Sequence, residues 1–210
     1  MPNLCNNLLT IKSRNKRLLE EIKDIPYSDG DEGLLDFFRP MPEEIKSRNP
    51  GDTTRPNKQE FTQKYGADNW YDWSNKYWGT KWDVKGYRDC SLISLDSGVW
   101  MLDIEFETAW NPPIEAIEFF VKWAQCFYIS EDEVLSSVTL QYIECGEQFC
   151  GIYDFLNRSE SFEINFMEDG FPNSNLDYIW LEEEVEAEKA YQKEMDEEWK
   201  ESVWLCLQLG

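Results

Sequence analysis

The sequence predicts an α+β protein in which one antiparallel sheet carries helices on one of its faces. Residues 100–108 alternate apolar and polar side chains, a period of two that is typical of a strand with one buried face. Pro112 and Pro113 then stop this strand, and apolar residues at helical spacing follow from Ile114. The whole chain reads as strand, helix, irregular region with a helix, strands, helix and strands, which favours a single sheet.

The amino-terminal elements are a strand over residues 4–12 and a helix over residues 15–25. Ser13 is the candidate N-cap of this helix, because its hydroxyl oxygen can accept a hydrogen bond from the first helical turn. Pro26 is expected to end the helix, since proline has no N–H to donate.

A long irregular segment is predicted over residues 27–69, where Asp, Gly, Pro, Ser and Asn predominate. One short helix is expected within it, near residues 56–64. The aromatic residues of the stretch 70–78 then recur at helical spacing, and Gly79 stands where that helix would end. A strand is expected to begin at Lys81.

The remaining strands of the domain are predicted from alternation and from the turn residues between them. The last of them is expected to lie at the edge of the sheet. They cover residues 90–95, 100–108, 134–144, 148–156 and 161–167.

The carboxy-terminal segment has a different pattern, since residues 176–209 read as one helix without Gly or Pro. Its apolar residues recur every four positions, so one face can dock on the domain or on a second subunit while the other is densely negative. The chain is therefore predicted to consist of an α+β domain over residues 1–172 and an acidic helical extension over residues 173–210. The apolar ladder consists of Ala187, Tyr191, Met195, Trp199 and Val203.

Charge is distributed unevenly along the chain. The net charge is -22, but residues 1–90 hold 15 basic and 15 acidic residues, whereas residues 91–210 hold 5 basic and 27 acidic ones. Nucleic-acid binding depends on Lys and Arg neutralising phosphates, so direct binding of nucleic acid by the second half is not expected.

Composition also restricts the chemistry and the location of the protein. Histidine is absent, which excludes mechanisms that use imidazole as a base or a metal ligand. The phosphate-binding motifs GxGxxG and GxxxxGK[ST] and the nucleophile motif GxSxG are missing, and no cofactor is predicted. No apolar run is long enough to span a bilayer, and the first residues do not resemble a signal peptide. A cytoplasmic protein with six reduced thiols is therefore expected.

Three constellations have both a structural and a functional interpretation. The Trp and Tyr residues of the stretch 70–82 form either part of the core or a stacking platform for bases or sugars. Cys145 and Cys150 could bind zinc only with two further ligands, so structural thiols are favoured. Acidic groups such as Asp103 with Glu105, or residues 131–133, resemble acid–base pairs or magnesium ligands, but charge runs are usually solvated surfaces.

The acidic extension has a sharper interpretation. Carboxylates held at regular intervals on a rigid helix and sheet can reproduce the charge spacing of duplex phosphates, and could occupy the nucleic-acid groove of a partner. The alternative is a surface that only makes the protein soluble. The candidate partner-binding residues are Glu182, Glu183, Glu184, Glu186, Glu194, Asp196, Glu197, Glu198, Glu201, Tyr191 and Trp199.

Four motifs together resemble the YubB ferredoxin-like domain family of bacteriophage and plasmid genomes. They are MPNLCNNLLTI at the amino terminus, WYDWSNKYWGTKWD at 70–83, FETAWNPP at 106–113 and YIECGEQFCGIY at 142–153. One departure is Leu4, where the family more often has tryptophan. The resemblance implies a ferredoxin-like α+β fold and a phage or mobile-element origin, but it supplies no activity and no catalytic residues.

The predicted function is that of a non-enzymatic, acidic phage-type accessory protein in the host cytoplasm. Its partner would be a host protein with a basic surface, such as a nucleic-acid-binding defence factor, and neither nucleic acid nor membrane is expected to bind directly. One alternative is a small-ligand-binding protein or enzyme that uses the loop 27–69 and the corner at residues 108–113. A second alternative is a homo-oligomeric structural protein that pairs through the Trp199 face of the terminal helix.

Overall fold

The structure is a computed structural model. It describes residues 3–25, 33–52, 56–84, 86–95, 98–127, 135–147, 149–157 and 159–165, the last of these ranges through its backbone only.

Six strands form one sheet in which every neighbouring pair is antiparallel. The order across the sheet is β2-β3-β1-β4-β5-β6, so the central strand β1 lies between β3 and β4. The predicted antiparallel α+β architecture is confirmed, and the order of the first four strands is compatible with a ferredoxin-like fold. The strands are β1 (Leu4–Ser13), β2 (Asp89–Ser94), β3 (Trp100–Ala109), β4 (Leu135–Glu144), β5 (Phe149–Asp154) and β6 (Ser159–Asn165).

Six helices lie in the connections between strands within the described ranges. Five of them occur between β1 and β2, and the sixth joins β3 to β4. They are α1 (Lys16–Asp24), α2 (Leu34–Phe38), α3 (Glu43–Lys46), α4 (Lys58–Tyr65), α5 (Trp70–Tyr77) and α6 (Ile114–Phe127).

The two faces of the sheet differ in character. Leu9 lies opposite Ile104 on one side and Leu140 on the other, and all three are fully buried. This face packs against apolar residues of α1, α2, α5 and α6 to form the main core. The second face carries Thr10 opposite Asp103, because successive side chains along a strand point to opposite faces.

The segment 27–69 contains more helix than the sequence predicts. The short helix expected near residues 56–64 is present as α4, but α2 and α3 precede it. The physical reason is burial: Leu35 and Ile45 are fully buried and Phe38 nearly so, and a short helix satisfies most of the backbone polar groups that come inside with them.

Two local predictions are wrong. The N-cap of α1 is Asn15, whose side-chain oxygen accepts the Leu18 N–H at 3.1 Å, whereas the Ser13 hydroxyl accepts from the Asn15 N–H at 3.0 Å. The strand expected from Lys81 begins only at Asp89. The chain just after α5 packs back against this helix and not in the sheet, because the Ser74 hydroxyl of α5 donates a hydrogen bond to the Lys81 carbonyl at 2.7 Å.

The aromatic residues of α5 belong mainly to the core, as the structural interpretation of this cluster expects. Trp73 and Trp78 are only 4% and 5% exposed, and the indole N–H of Trp78 donates to the Arg39 carbonyl at 2.9 Å. Trp82, by contrast, is 40% exposed. Among the described helices, none combines the length and the apolar character that crossing a membrane requires.

Candidate functional site

The residues predicted to bind a partner in the acidic extension, Glu182 to Glu201 with Tyr191 and Trp199, all lie outside the described residues, as do residues 131–133. The candidate surfaces below therefore come from the sheet and from its connections.

An acidic row lies on the second face of the sheet. Asp103, Glu105 and Glu107 alternate along β3 with core residues, so their side chains share one face. Asp89 of β2 lies directly opposite Glu105. Alternate residues of a strand are about 7 Å apart, so the three carboxylates of β3 have a regular spacing on a rigid support. Together with Asp89 we call them the acidic row.

Neighbouring polar and charged groups contact the acidic row. The Thr10 hydroxyl donates to Asp103 at 2.6 Å, and the guanidinium of Arg88 lies 3.6 Å from the carboxylate of Glu107. Burial raises the pKa of Glu105, and the charges of Asp89 and Asp103 raise it further against the opposing effect of Arg88. Like charges placed directly opposite each other on a sheet are destabilising.

The chemical capacity of the acidic row is electrostatic. It offers acceptors and negative charge in a line, and a cationic surface laid against it would relieve the repulsion between its members. Its carboxylates have no histidine partner, and no group of three or more potential metal ligands occurs in the part of the chain that the structure describes.

Three of the thiols have weak nucleophilic character. Burial raises the pKa of the Cys5 thiol far above its ordinary value, and it raises the pKa of Cys90 to about 11. The pKa of Cys145 is also raised by burial and by the neighbouring Glu144. A thiol that stays protonated at neutral pH is a poor nucleophile, so these three cysteines are weak candidates for nucleophilic chemistry.

A cleft of about 390 Å³ opens at the other candidate region, beside the corner at residues 108–113. It lies on the helix-bearing face, between the end of α5, the start of α6 and the strands β4 and β5. Its lining includes Asn75, Asn111, Pro112, Glu115, Tyr142 and Phe149.

The corner beside the cleft is held by buried hydrogen bonds. The Asn7 amide donates to the Thr108 hydroxyl at 2.9 Å, and that hydroxyl in turn donates to the Asn111 carbonyl at 2.8 Å. Trp110 adopts a left-handed conformation with φ of 67°, and its N–H donates to the Asn3 carbonyl at 3.0 Å. A non-glycine residue in this conformation needs such surroundings to hold it, so the wall of the cleft is preorganised.

Glu115 is the carboxylate of the cleft. It lies in the first turn of α6, and its carboxylate packs so closely against Gly79 that a side chain at position 79 would collide with it. Burial raises the pKa of the Glu115 carboxyl, and the negative charge of Glu118 raises it further, whereas the positive charge of Arg39 lowers it. Within the described residues, no Lys or Arg lies within ion-pair distance of Glu115.

Sequence reasoning found part of each site. It singled out Asp103, Glu105 and the corner, but it missed Asp89 and Glu107, although the alternation along β3 already places Glu107 with the other two. The cleft residues Asn75, Tyr142 and Phe149 come from three separate elements, and nothing in their local sequence marks them.

Comparison with protein-family models, with curated proteins and with solved structures finds no match to this chain. The resemblance to the YubB family stays a prediction from the four motifs.

Proposed function

We propose that this protein is a non-enzymatic, acidic accessory protein that binds a basic surface of a host protein and modulates or inhibits it. The observation that supports this most directly is the acidic row, in which four carboxylates lie close together on one face of a sheet. The partner is a nucleic-acid-binding protein, such as a defence factor, whose phosphate-binding groove the row enters in place of DNA.

The arrangement suits mimicry better than a merely solubilising surface. Solubility needs charge but no order, whereas the acidic row has the regular spacing of a strand and is backed by a buried core. Burial and the charges of Asp89 and Asp103 raise the pKa of Glu105 in the free protein, and a bound cationic surface would relieve the part that is due to charge repulsion.

The wider assignment also belongs to this proposal. The strand order and the four motifs support a ferredoxin-like domain of the YubB family, with a phage or mobile-element origin and a site of action in the host cytoplasm. The acidic extension, with Glu194, Glu197 and Glu198 among its carboxylates, adds further negative charge that the same partner could bind.

The experiment is capture of host proteins on the immobilised full chain at low salt, followed by elution with duplex DNA. Wild-type protein is expected to retain basic proteins that duplex DNA displaces and that rising salt releases. The triple variant Asp103→Asn, Glu105→Gln, Glu107→Gln is expected to retain roughly a tenth as much of these basic proteins or less. This corresponds to a loss of about 1.4 kcal/mol or more of binding free energy.

The matched control removes three carboxylates from α1 through Glu20→Gln, Glu21→Gln and Asp24→Asn, so both variants have the same net charge. Equal losses in the two variants would show that only total charge matters, and retention that duplex DNA does not displace would contradict mimicry. A third variant, Glu194→Gln, Glu197→Gln, Glu198→Gln, measures how much the acidic extension contributes to the binding of these basic proteins.

A second candidate function is small-ligand binding at the cleft, since a preorganised corner and the carboxylate of Glu115 meet there. Concave sites with a few converging polar groups are the usual ligand sites of proteins.

A further inference from the structure

We infer that the cleft between α5, α6 and the β4–β5 hairpin is a binding site for a guanidinium group, the planar cation of an arginine side chain. The cleft lies on the face of the sheet opposite to the acidic row, so this inference is independent of how the row is used.

The hydrogen-bonding groups of the cleft favour a ligand that donates. One of the two side-chain N–H groups of Asn75 donates to the Tyr71 carbonyl at 2.7 Å, and its amide oxygen can accept from a ligand. The carboxylate of Glu115 can only accept when ionised. These two acceptors therefore match a ligand rich in N–H groups.

The charge of the cleft favours a cation. Glu115 is the acidic residue of the lining, and Arg39, whose charge acts on it, makes its direct contacts with other groups. The Arg39 guanidinium lies over the rings of Tyr77 and Phe119, at 4.3 and 4.8 Å from their centroids, and donates to the Tyr77 carbonyl at 3.3 Å. Glu115 therefore has a charge that an incoming cation can pair with.

The aromatic wall favours a flat cation over a compact one. The rings of Tyr142 and Phe149 line the cleft with their centroids 6.1 Å apart and their planes inclined at 63°. A guanidinium can lie flat on such a ring face while its edge donates two parallel hydrogen bonds to a carboxylate, whereas an ammonium group has no planar edge. The same protein uses this contact internally, where Arg39 lies on Tyr77.

The size of the cleft fits the proposed ligand class. A volume of about 390 Å³ lies at the lower end of the range for small-molecule sites, which is roughly 300–1,000 Å³. Gly79 leaves room for the Glu115 carboxylate, because a Cβ atom at position 79 would collide with it.

The test is titration of the isotopically labelled full chain with N-acetyl-arginine methylamide, followed by backbone amide shifts in NMR spectra. Saturable shifts are expected at residues of the lining, such as Asn75, Glu115 and Phe149. The citrulline analogue has the same shape without the charge and is expected to cause none, and the lysine analogue should bind at least about tenfold more weakly. Equal binding of arginine and lysine analogues, or of arginine and citrulline analogues, would overturn the inference.

Variants identify the carboxylate that binds the ligand. Glu115→Gln keeps the shape of the side chain and is expected to weaken binding of the arginine analogue at least about tenfold. A loss of this size is usual when a charge-assisted hydrogen-bonded pair is removed. Glu60→Gln on α4 is the control and should leave the affinity unchanged, as should the triple variant of the acidic row. Undiminished binding by a folded Glu115→Gln protein would overturn the assignment of this site.

The source of the guanidinium is separated by a third titration, with free arginine. Tighter binding of the blocked analogue than of free arginine assigns the site to an arginine side chain of a protein, because the free amino acid adds a carboxylate next to Glu115. Tighter binding of free arginine assigns it to a soluble metabolite. Failure of the arginine analogue to bind leaves the capture by the acidic row unaffected, so the two proposals fail separately.

Discussion

Asp89 and Glu105 lie directly opposite each other in the β2–β3 pair, so two like charges are placed side by side on the second face of the sheet. Residues opposite each other in an antiparallel pair have Cα atoms about 4.5–5.5 Å apart. Burial and this neighbour raise the pKa of Glu105, which means that the folded state disfavours its ionised form.

The first prediction follows from that repulsion. Glu105→Gln is expected to increase the free energy of unfolding at pH 7 by roughly 0.2–1 kcal/mol, the size of cross-strand pair effects. Because the folded-state pKa is raised, the penalty is absent below the unfolded-state pKa and fully present above the folded-state pKa. Urea unfolding should therefore show the gain at pH 7 and no gain near pH 3.5. Glu107→Gln is the control, since Arg88 lies 3.6 Å from that carboxylate.

Asp83 supports the second prediction, because its carboxylate caps α2. It accepts the N–H groups of Gly33, Leu35 and Asp36 at 3.0, 2.7 and 3.0 Å. Asp83→Asn replaces one acceptor oxygen by a donor and should destabilise the protein by about 1–3 kcal/mol.

The measurement for this variant is chemical unfolding, together with hydrogen exchange of the Leu35 and Asp36 amides, which should become faster. Asp24→Asn removes an exposed carboxylate at the end of α1 and should change stability by no more than about 0.5 kcal/mol. Equal stability of the Asp83 variant and wild-type protein would show that the carboxylate is not needed to hold α2.

The third prediction concerns the corner next to the cleft. Thr108→Val keeps the shape of the side chain but removes the hydroxyl that accepts from Asn7 and donates to the Asn111 carbonyl. The Asn7 amide and the Asn111 carbonyl would each lose a hydrogen-bond partner at Thr108, which is 1% exposed. We therefore expect the free energy of unfolding to fall by about 1–3 kcal/mol. NMR shift changes at Trp110 and Asn111 should accompany it. Thr139→Val on the opposite face of the sheet is the isosteric control, and equal losses in both variants would contradict the proposed role.

The fourth prediction concerns the Cys90 thiol, whose pKa burial raises to about 11. Thiolate is the reactive form, so alkylation of Cys90 at pH 8 should be roughly a hundredfold slower than that of a free cysteine with a pKa of about 8.5. Between pH 7.5 and 9.5 the rate should rise about tenfold per pH unit. Mass spectrometry of labelled peptides measures this, with the exposed Cys126 as internal reference, and a plateau below pH 9 would contradict the raised pKa.

The sequence alone determined the elements that depend on local pattern. The alternation over residues 100–108 and the two prolines after it predict β3 and α6 with bounds close to those observed, because periodicity and proline geometry act over a few residues. The same kind of signal located β1, β4 and α5. It failed where two neighbouring candidates compete locally, as when Asn15 rather than Ser13 caps α1.

Only the tertiary structure decided which side chains meet. Asp89 faces Glu105 because of the β2–β3 register, and Asp83 reaches α2 across some fifty residues of chain. Asn75, Glu115 and Phe149 share a cleft because three elements pack together around one core. Register and packing are set by the burial of apolar surface over the whole domain, and no short stretch of sequence contains that information.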